Sequence, residues 1–178
     1  MEPTYVEQLG VESKKVGDAL RFSALVLSRL RRLPYAAHFR DCVRYYGRAL
    51  GEADWATSYI LLWQALEAAT GTSKMKYDAT IRRASFMFDD VEYHKQVLDI
   101  LKTCRNEIVH AQNDPTSLES RLYLLKRYVE SALRFHLAHA GDFHSLEEAG
   151  HFLDLPSNTA VLNRRLRLLE KAATFRES

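Results

Sequence analysis

The stretch CRNEIVHAQND, residues 104–114, places a guanidinium, an amide and an imidazole within six positions of an apolar helical run. Arg105 is a permanent cation whose planar fork matches the oxygens of a phosphate. Histidine, with an unperturbed pKa of about 6.5, is the side chain suited to giving or taking a proton near neutrality, and His110 supplies one here. Asn106 can orient either of them, or a ribose hydroxyl. These are parts for breaking an RNA phosphodiester without a metal. That reaction needs a base for the 2′-OH, an acid for the leaving 5′-oxygen and a cation on the phosphorane. One helix supplies one histidine, so two copies facing each other would supply two.

The elements that carry these residues follow from periodicity. On a wheel of residues 97–111, Val97, Leu101, Cys104, Ile108 and Ala111 fall on one face, the expected core face. Asn106 and His110 are four apart and share a side roughly opposite it. Arg105 projects between the two, beside Leu98 and Val109. The trio is therefore expected to face water or a partner, and the flanking Leu98 and Val109 favour a partner. The plainer reading is a solvated polar face near a helix end, where a cation also suits the helix dipole.

The chain as a whole suits one domain, or one domain with a small appendage. It has 178 residues, 47% of them apolar and 27% charged. Seven glycines and four prolines argue against a chain of many tight turns. A net charge of +2 does not by itself imply a nucleic-acid partner. Cys42 and Cys104 have neither knuckle nor redox-pair spacing and read as two buried thiols in a reducing cytoplasm. No signal pattern is present at the start, and no apolar run approaches the ~20 residues of a membrane span.

Helical spacing runs almost throughout. Residues 1–12 are weakly patterned and expected to be loose. Leu20, Ala24, Leu27 and Leu30 stripe a first helix that ends before Pro34. Pro34 suits the first turn of a second helix, through Leu50 to Gly51. A third runs from Asp54 to Thr70, striped by Trp55, Tyr59, Leu62 and Leu66 and ended by Gly71. After a polar connector, Asp78 can cap a fourth helix reaching Phe88. The fifth runs from Val91 to Gln112. Asp114-Pro115 starts a sixth that Gly141 ends. Ser145 caps a short seventh stopped by Pro156. Residues 157–175 form the last helix, with Leu162, Leu166 and Leu169 expected inward. The fold class is all-α, an up-and-down helical bundle with a C-terminal helical extension.

The residues also carry a resemblance. RNEIVH, residues 105–110, resembles the Arg-x4-6-His motif of the HEPN superfamily, including the polar residue that often follows the arginine. SYILLWQALEAATG (58–71), the Arg82/Arg83 helix, ILKTCRNEIVHAQ (100–112) and the tail SLEEAGHFLDLPSNTAVLNRRLRLL (145–169) resemble the Apea-like HEPN group. The likeness covers about residues 17–170. It implies a bundle of the HEPN type over 13–141, after the loose segment 1–12. Residues 142–178 would then form a C-terminal helical hairpin packed on the bundle. It also implies dimerisation through the motif helices and metal-independent endoribonuclease activity of a toxin or anti-phage defence kind, with no cofactor. The substrate would be RNA, tRNA among the candidates, and an antitoxin or larger defence component the further partner.

Carried over by position, the resemblance has Arg105 hold the scissile phosphate, His110 act as general acid or base, and Asn106 orient them. Glu67 corresponds to an acidic residue that some members bring toward the motif arginine. An ion pair on its own helix is an equally good reading of Glu67. One departure stands out. A toxin subgroup has a tyrosine two residues after the histidine, modified by its antitoxin, and here that position is Gln112.

Lys74, Lys76, Arg82 and Arg83 are further candidates for lining an RNA approach, with a solvated helix edge as the plainer reading. Arg29, Arg31 and Arg32, and Arg164, Arg165 and Arg167, form two more basic clusters open to the same two readings. His136, His139 and His144 lack the Cys or carboxylate partners that a metal site needs, so no metal is expected. Two further functions stay open beside the nuclease: a non-catalytic module binding RNA or a nucleotide on the same face, and a dimerising adaptor.

Overall fold

The structure is a computed structural model and describes residues 13–72, 76–110 and 118–177. The expectations for residues 1–12, Lys74, Gln112 and the Asp114-Pro115 start signal lie outside these residues. Eight helices and no strand are present among the described residues. They are α1 (Ser13–Arg32), α2 (Ala36–Leu50), α3 (Trp55–Ala69), α4 (Tyr77–Ser85), α5 (Val91–Val109), α6 (Leu118–Ala138), α7 (Leu146–Leu153) and α8 (Thr159–Glu177). The all-α expectation holds.

Short polar residues start four of these helices by accepting otherwise orphaned backbone N–H groups. Asp54 accepts from the Thr57 amide at 2.7 Å, Asp90 from Tyr93 at 3.0 Å and Ser145 from Glu148 at 3.1 Å. Asn158 accepts from Ala160 and Val161 at the start of α8. Asp78 does not cap α4. It sits inside the first turn, while Lys76 precedes the helix without a side-chain cap, and α4 stops at Ser85, short of Phe88. Gly71 and Gly141 follow α3 and α6 with φ of 65° and 99°, conformations that favour glycine.

The central element is α3. Tyr59, Leu61, Leu62, Trp63, Ala65, Leu66 and Ala69 are all buried, so the helix has core on nearly every side. Trp55, expected on its inner stripe, is instead well exposed at the first turn. Around α3 pack α2, α4, α5 and α6. Cys42 and Cys104 are buried free thiols in this core. Burial pushes the Cys42 thiol up to about 12, far from a reactive thiolate.

His136 fastens one end of the bundle. Its Nε2 lies 2.6 Å from the Ala69 carbonyl oxygen, which can only accept, so Nε2 carries the proton. Nδ1 then accepts from the Tyr35 hydroxyl at 2.9 Å. One imidazole thus answers a carbonyl in the last turn of α3 and holds the residue that precedes α2.

Two helices stand apart. Leu20 and Leu27 of the expected α1 stripe are exposed, and only its C-terminal end, at Leu30, reaches a small second core of Leu33, Phe39 and Ala140. In the C-terminal extension, α7 packs against α4, and Ala149, Gly150 and Leu153 are buried. By contrast α8 stands clear. Leu162 is half-buried, but Leu166 and Leu169, expected inward, are exposed.

A pH dependence follows from His136. Burial lowers its pKa below the ordinary 6.5, so the folded protein keeps it neutral while the unfolded chain takes up a proton at about pH 6.5. Stability contributed by the neutral ring is present above that pH and is lost as pH falls below it, at up to ~1.4 kcal/mol per pH unit. Urea unfolding of the wild type should show this loss between pH 7 and 5, and His136→Gln should flatten it. An equal pH slope in both proteins would contradict this account.

Candidate functional site

The motif residues sit on the last turn and a half of α5, and their exposure differs sharply. Cys104 is buried, Arg105 and Asn106 are half-buried, and His110 is exposed at the helix end, its amide N–H donating to the Asn106 carbonyl at 3.0 Å. Leu98 was expected beside Arg105 on a partner-facing flank. It is instead fully buried. Leu98, Leu101 and Arg105 follow one another by three and four positions, so Arg105 continues the buried row and is turned inward. The reason is that α5 contacts α3, α4 and α6, and the arc it buries is wider than the stripe on the wheel.

What receives Arg105 is an aromatic wall. Its Cζ lies 5.3 Å from the centroid of the Tyr77 ring, at the start of α4. A guanidinium on an aromatic face gains about 0.5–1 kcal/mol and, more usefully, a fixed plane. Nη1 donates to Asn106 Oδ1 at 3.2 Å. The Nε–H is buried and has no hydrogen-bond partner among the described residues. An orphaned charged donor costs on the order of 1–3 kcal/mol, and such groups mark either strain or the place of a ligand.

Behind Tyr77 stands Trp63, edge-on at 6.1 Å, and the Trp63 indole N–H donates to Glu67 Oε1 at 3.1 Å. Glu67 is 7% exposed. The structure therefore groups Glu67, Trp63, Tyr77, Arg105 and Asn106 in one line from the core to the surface. Glu67 and Arg105 are joined through two rings. Neither Trp63 nor Tyr77 had been assigned to the site. The signal for them was their position on neighbouring helices, which only packing reveals.

His110 sits apart from the guanidinium. Five residues on a helix amount to about 140° of rotation and 7.5 Å of rise. Asn106, four residues before His110, is the member that lies near both. Within one chain, then, cation and imidazole point to different sides of α5.

The other candidates have different surroundings. Arg83 donates through Nε and Nη2 to Asp154 Oδ2 at 3.1 and 2.7 Å, and through Nη1 to the Thr70 and Gly71 carbonyls. Arg82 donates to Asp154 Oδ1 at 2.9 Å. Burial pushes the Asp154 carboxyl up, but hydrogen bonds from Arg83 and Arg82 outweigh that and hold it below the usual carboxylate range. This pair thus anchors the end of α7 to α4. Lys76 is exposed just ahead of α4. Arg29 donates to the Ala138 carbonyl at the end of α6. His139 pairs with Asp142 and His144 with Glu148, and no group of three or more His, Cys, Asp or Glu is placed to hold a metal among the described residues. None of the described helices is long and apolar enough to cross a membrane.

Comparison of the chain with protein-family models, with curated proteins and with solved structures finds no match.

The Arg83 anchor makes a sharp prediction. A Cβ on Gly150 would lie 2.5 Å from Arg83 Nη1 and 2.8 Å from its Cζ. This arginine is held by four hydrogen bonds and cannot swing away without losing some of them. Gly150→Ala should therefore destabilise the fold by about 1–3 kcal/mol in denaturant unfolding, despite alanine's better helix propensity. An unchanged or raised midpoint would mean that the anchor is loose.

Proposed function

We propose that this protein is a metal-independent endoribonuclease of the HEPN type, belonging to a toxin or anti-phage defence system, that cuts RNA at a composite site formed by two copies. The observation that carries this reading is Arg105. A guanidinium set over the Tyr77 ring, bonded to Asn106 and keeping a buried Nε–H with no hydrogen-bond partner among the described residues, supports a role as phosphate holder. His110, exposed at the end of the same helix, is free to meet a substrate or a second protomer. In the proposed reaction the 2′-oxygen attacks phosphorus and the 5′-oxygen leaves. The 2′-OH proton passes to one imidazole, and the other protonates the leaving oxygen. The products are a 2′,3′-cyclic phosphate and a 5′-hydroxyl. Arg105 neutralises charge on the phosphorane. The two imidazoles come from the two His110 side chains, which accounts for a site whose cation and acid–base group diverge within one chain.

One observation favours a second reading, a module that binds RNA or a nucleotide without cutting it, or a dimerising adaptor. The Arg105 guanidinium is already engaged on one side by Tyr77 and Asn106, and the 140° between it and His110 suits binding better than proton transfer in a single chain.

The test is cleavage of total tRNA and a mixed-sequence RNA in EDTA, with product ends mapped. The wild type should give discrete fragments ending in cyclic phosphate. His110→Ala should lose about 10²-fold or more while keeping its helical fold. Arg105→Lys should lose activity as well, since lysine keeps the charge but not the fork. Intact RNA in every lane, with a salt-dependent shift that Arg105→Ala abolishes, would establish the binding module instead.

A further inference from the structure

The helix α8 leaves a wide apolar surface uncovered. Leu166 is 55% exposed, Leu168 57% and Leu169 68%. A groove of about 640 Å³ lies in front of this face, between Leu155 and the leucines of α8. Apolar side chains concentrated on one helix in this way mark an interaction site. The spacing says more. Leu162, Leu166, Leu169 and Ala173 are separated by four, three and four residues, the a/d alternation of a coiled coil, with leucine at the first two d positions and Arg176 at the third, in the last turn. In that register Arg165 takes a g position and Glu170 the following e position. Arg164, Arg167 and Lys171 fall at f, b and f, and Leu168 at c, so these four lie off the seam and only Leu162, Leu166 and Leu169 supply its leucines.

We propose that α8 pairs with α8 of a second copy of this chain as a parallel two-stranded coiled coil, seated in that groove. The charges choose both the occupant and its direction. In a parallel pair each g residue lies beside the e residue five positions on in the partner, so Arg165 of one copy meets Glu170 of the other, twice by symmetry. In an antiparallel pair e residues meet e and g residues meet g. Those positions hold Asn163, Glu170 and Glu177, and Arg165 and Ala172, and no attractive pair results. The basic residues outside the seam remain in water.

This surface is separate from the motif. Arg165 borders a second groove with Val91 and Lys95, at the first turn of α5. Val91 lies about 28 Å along that helix from His110. The pairing does not rest on the nuclease reading, and a dimer formed only through the end of α5 would be indifferent to Arg165 and Glu170.

The test is a charge-reversal cycle combined with cross-linking. Sedimentation should show a dimer for the wild type, weakened about tenfold or more by Arg165→Glu or by Glu170→Arg and recovered in the double reversal, with circular dichroism unchanged because α8 is exposed. In a parallel coil a faces a, so Leu166→Cys should form a disulfide-linked dimer under mild oxidation, while Cys42 and Cys104 stay buried. A monomeric wild type, an assembly that ignores the charge cycle, or a chain that instead binds phosphatidylserine vesicles through α8 would each overturn the proposal.

Discussion

The burial of α3 is the constraint from which the rest of the bundle follows. A helix with almost no solvent face cannot leave its polar groups to water, so each must be answered by a neighbour. Ser58 donates to the Ala49 carbonyl on α2, and Tyr59 donates to the Leu101 carbonyl on α5. The Ala69 carbonyl receives His136 from α6. Thr70, just past the helix, donates back to Leu66. These bonds add modestly to stability, but breaking one strands a buried group, which is why they set the register of α2, α5 and α6 more firmly than apolar contact alone.

The candidate site inherits that register. With α5 tied to Tyr59 at Leu101, one turn further on the helix must present Arg105 toward the start of α4, where Tyr77 stands. Glu67, on the same central helix, is drawn in by Trp63. The half-buried Arg105 and the buried Glu67 carboxylate are therefore positioned by the core rather than by a loop. His110 falls past the last full turn and escapes this control. The rigid and exposed halves of the site are thus assigned by where α5 leaves the bundle.

The same logic explains the periphery. The extension is divided at Pro156: before it, α7 is clamped by Asp154 on Arg82 and Arg83, with Gly150 leaving room for the guanidinium. Beyond it, Leu166, Leu168 and Leu169 of α8 stay in solvent. Arginines in two neighbouring positions serve the fold here, while those of α8 remain outside it. Charge type alone did not separate these roles.

The sequence by itself determined the all-α class, the order of the helices and several of their ends, because the Ser145 cap and the glycines at 71 and 141 act within a few residues of themselves. It also marked Arg105, Asn106 and His110 as a group, since spacing along one helix is local information. It did not reveal that Leu98 is core, that Arg105 turns inward onto Tyr77, that Arg82 and Arg83 hold Asp154, or that Leu166 and Leu169 stay exposed. A helical wheel places residues relative to one another around an axis. Which arc is buried depends on the helices packed against it, and that only the tertiary structure decided.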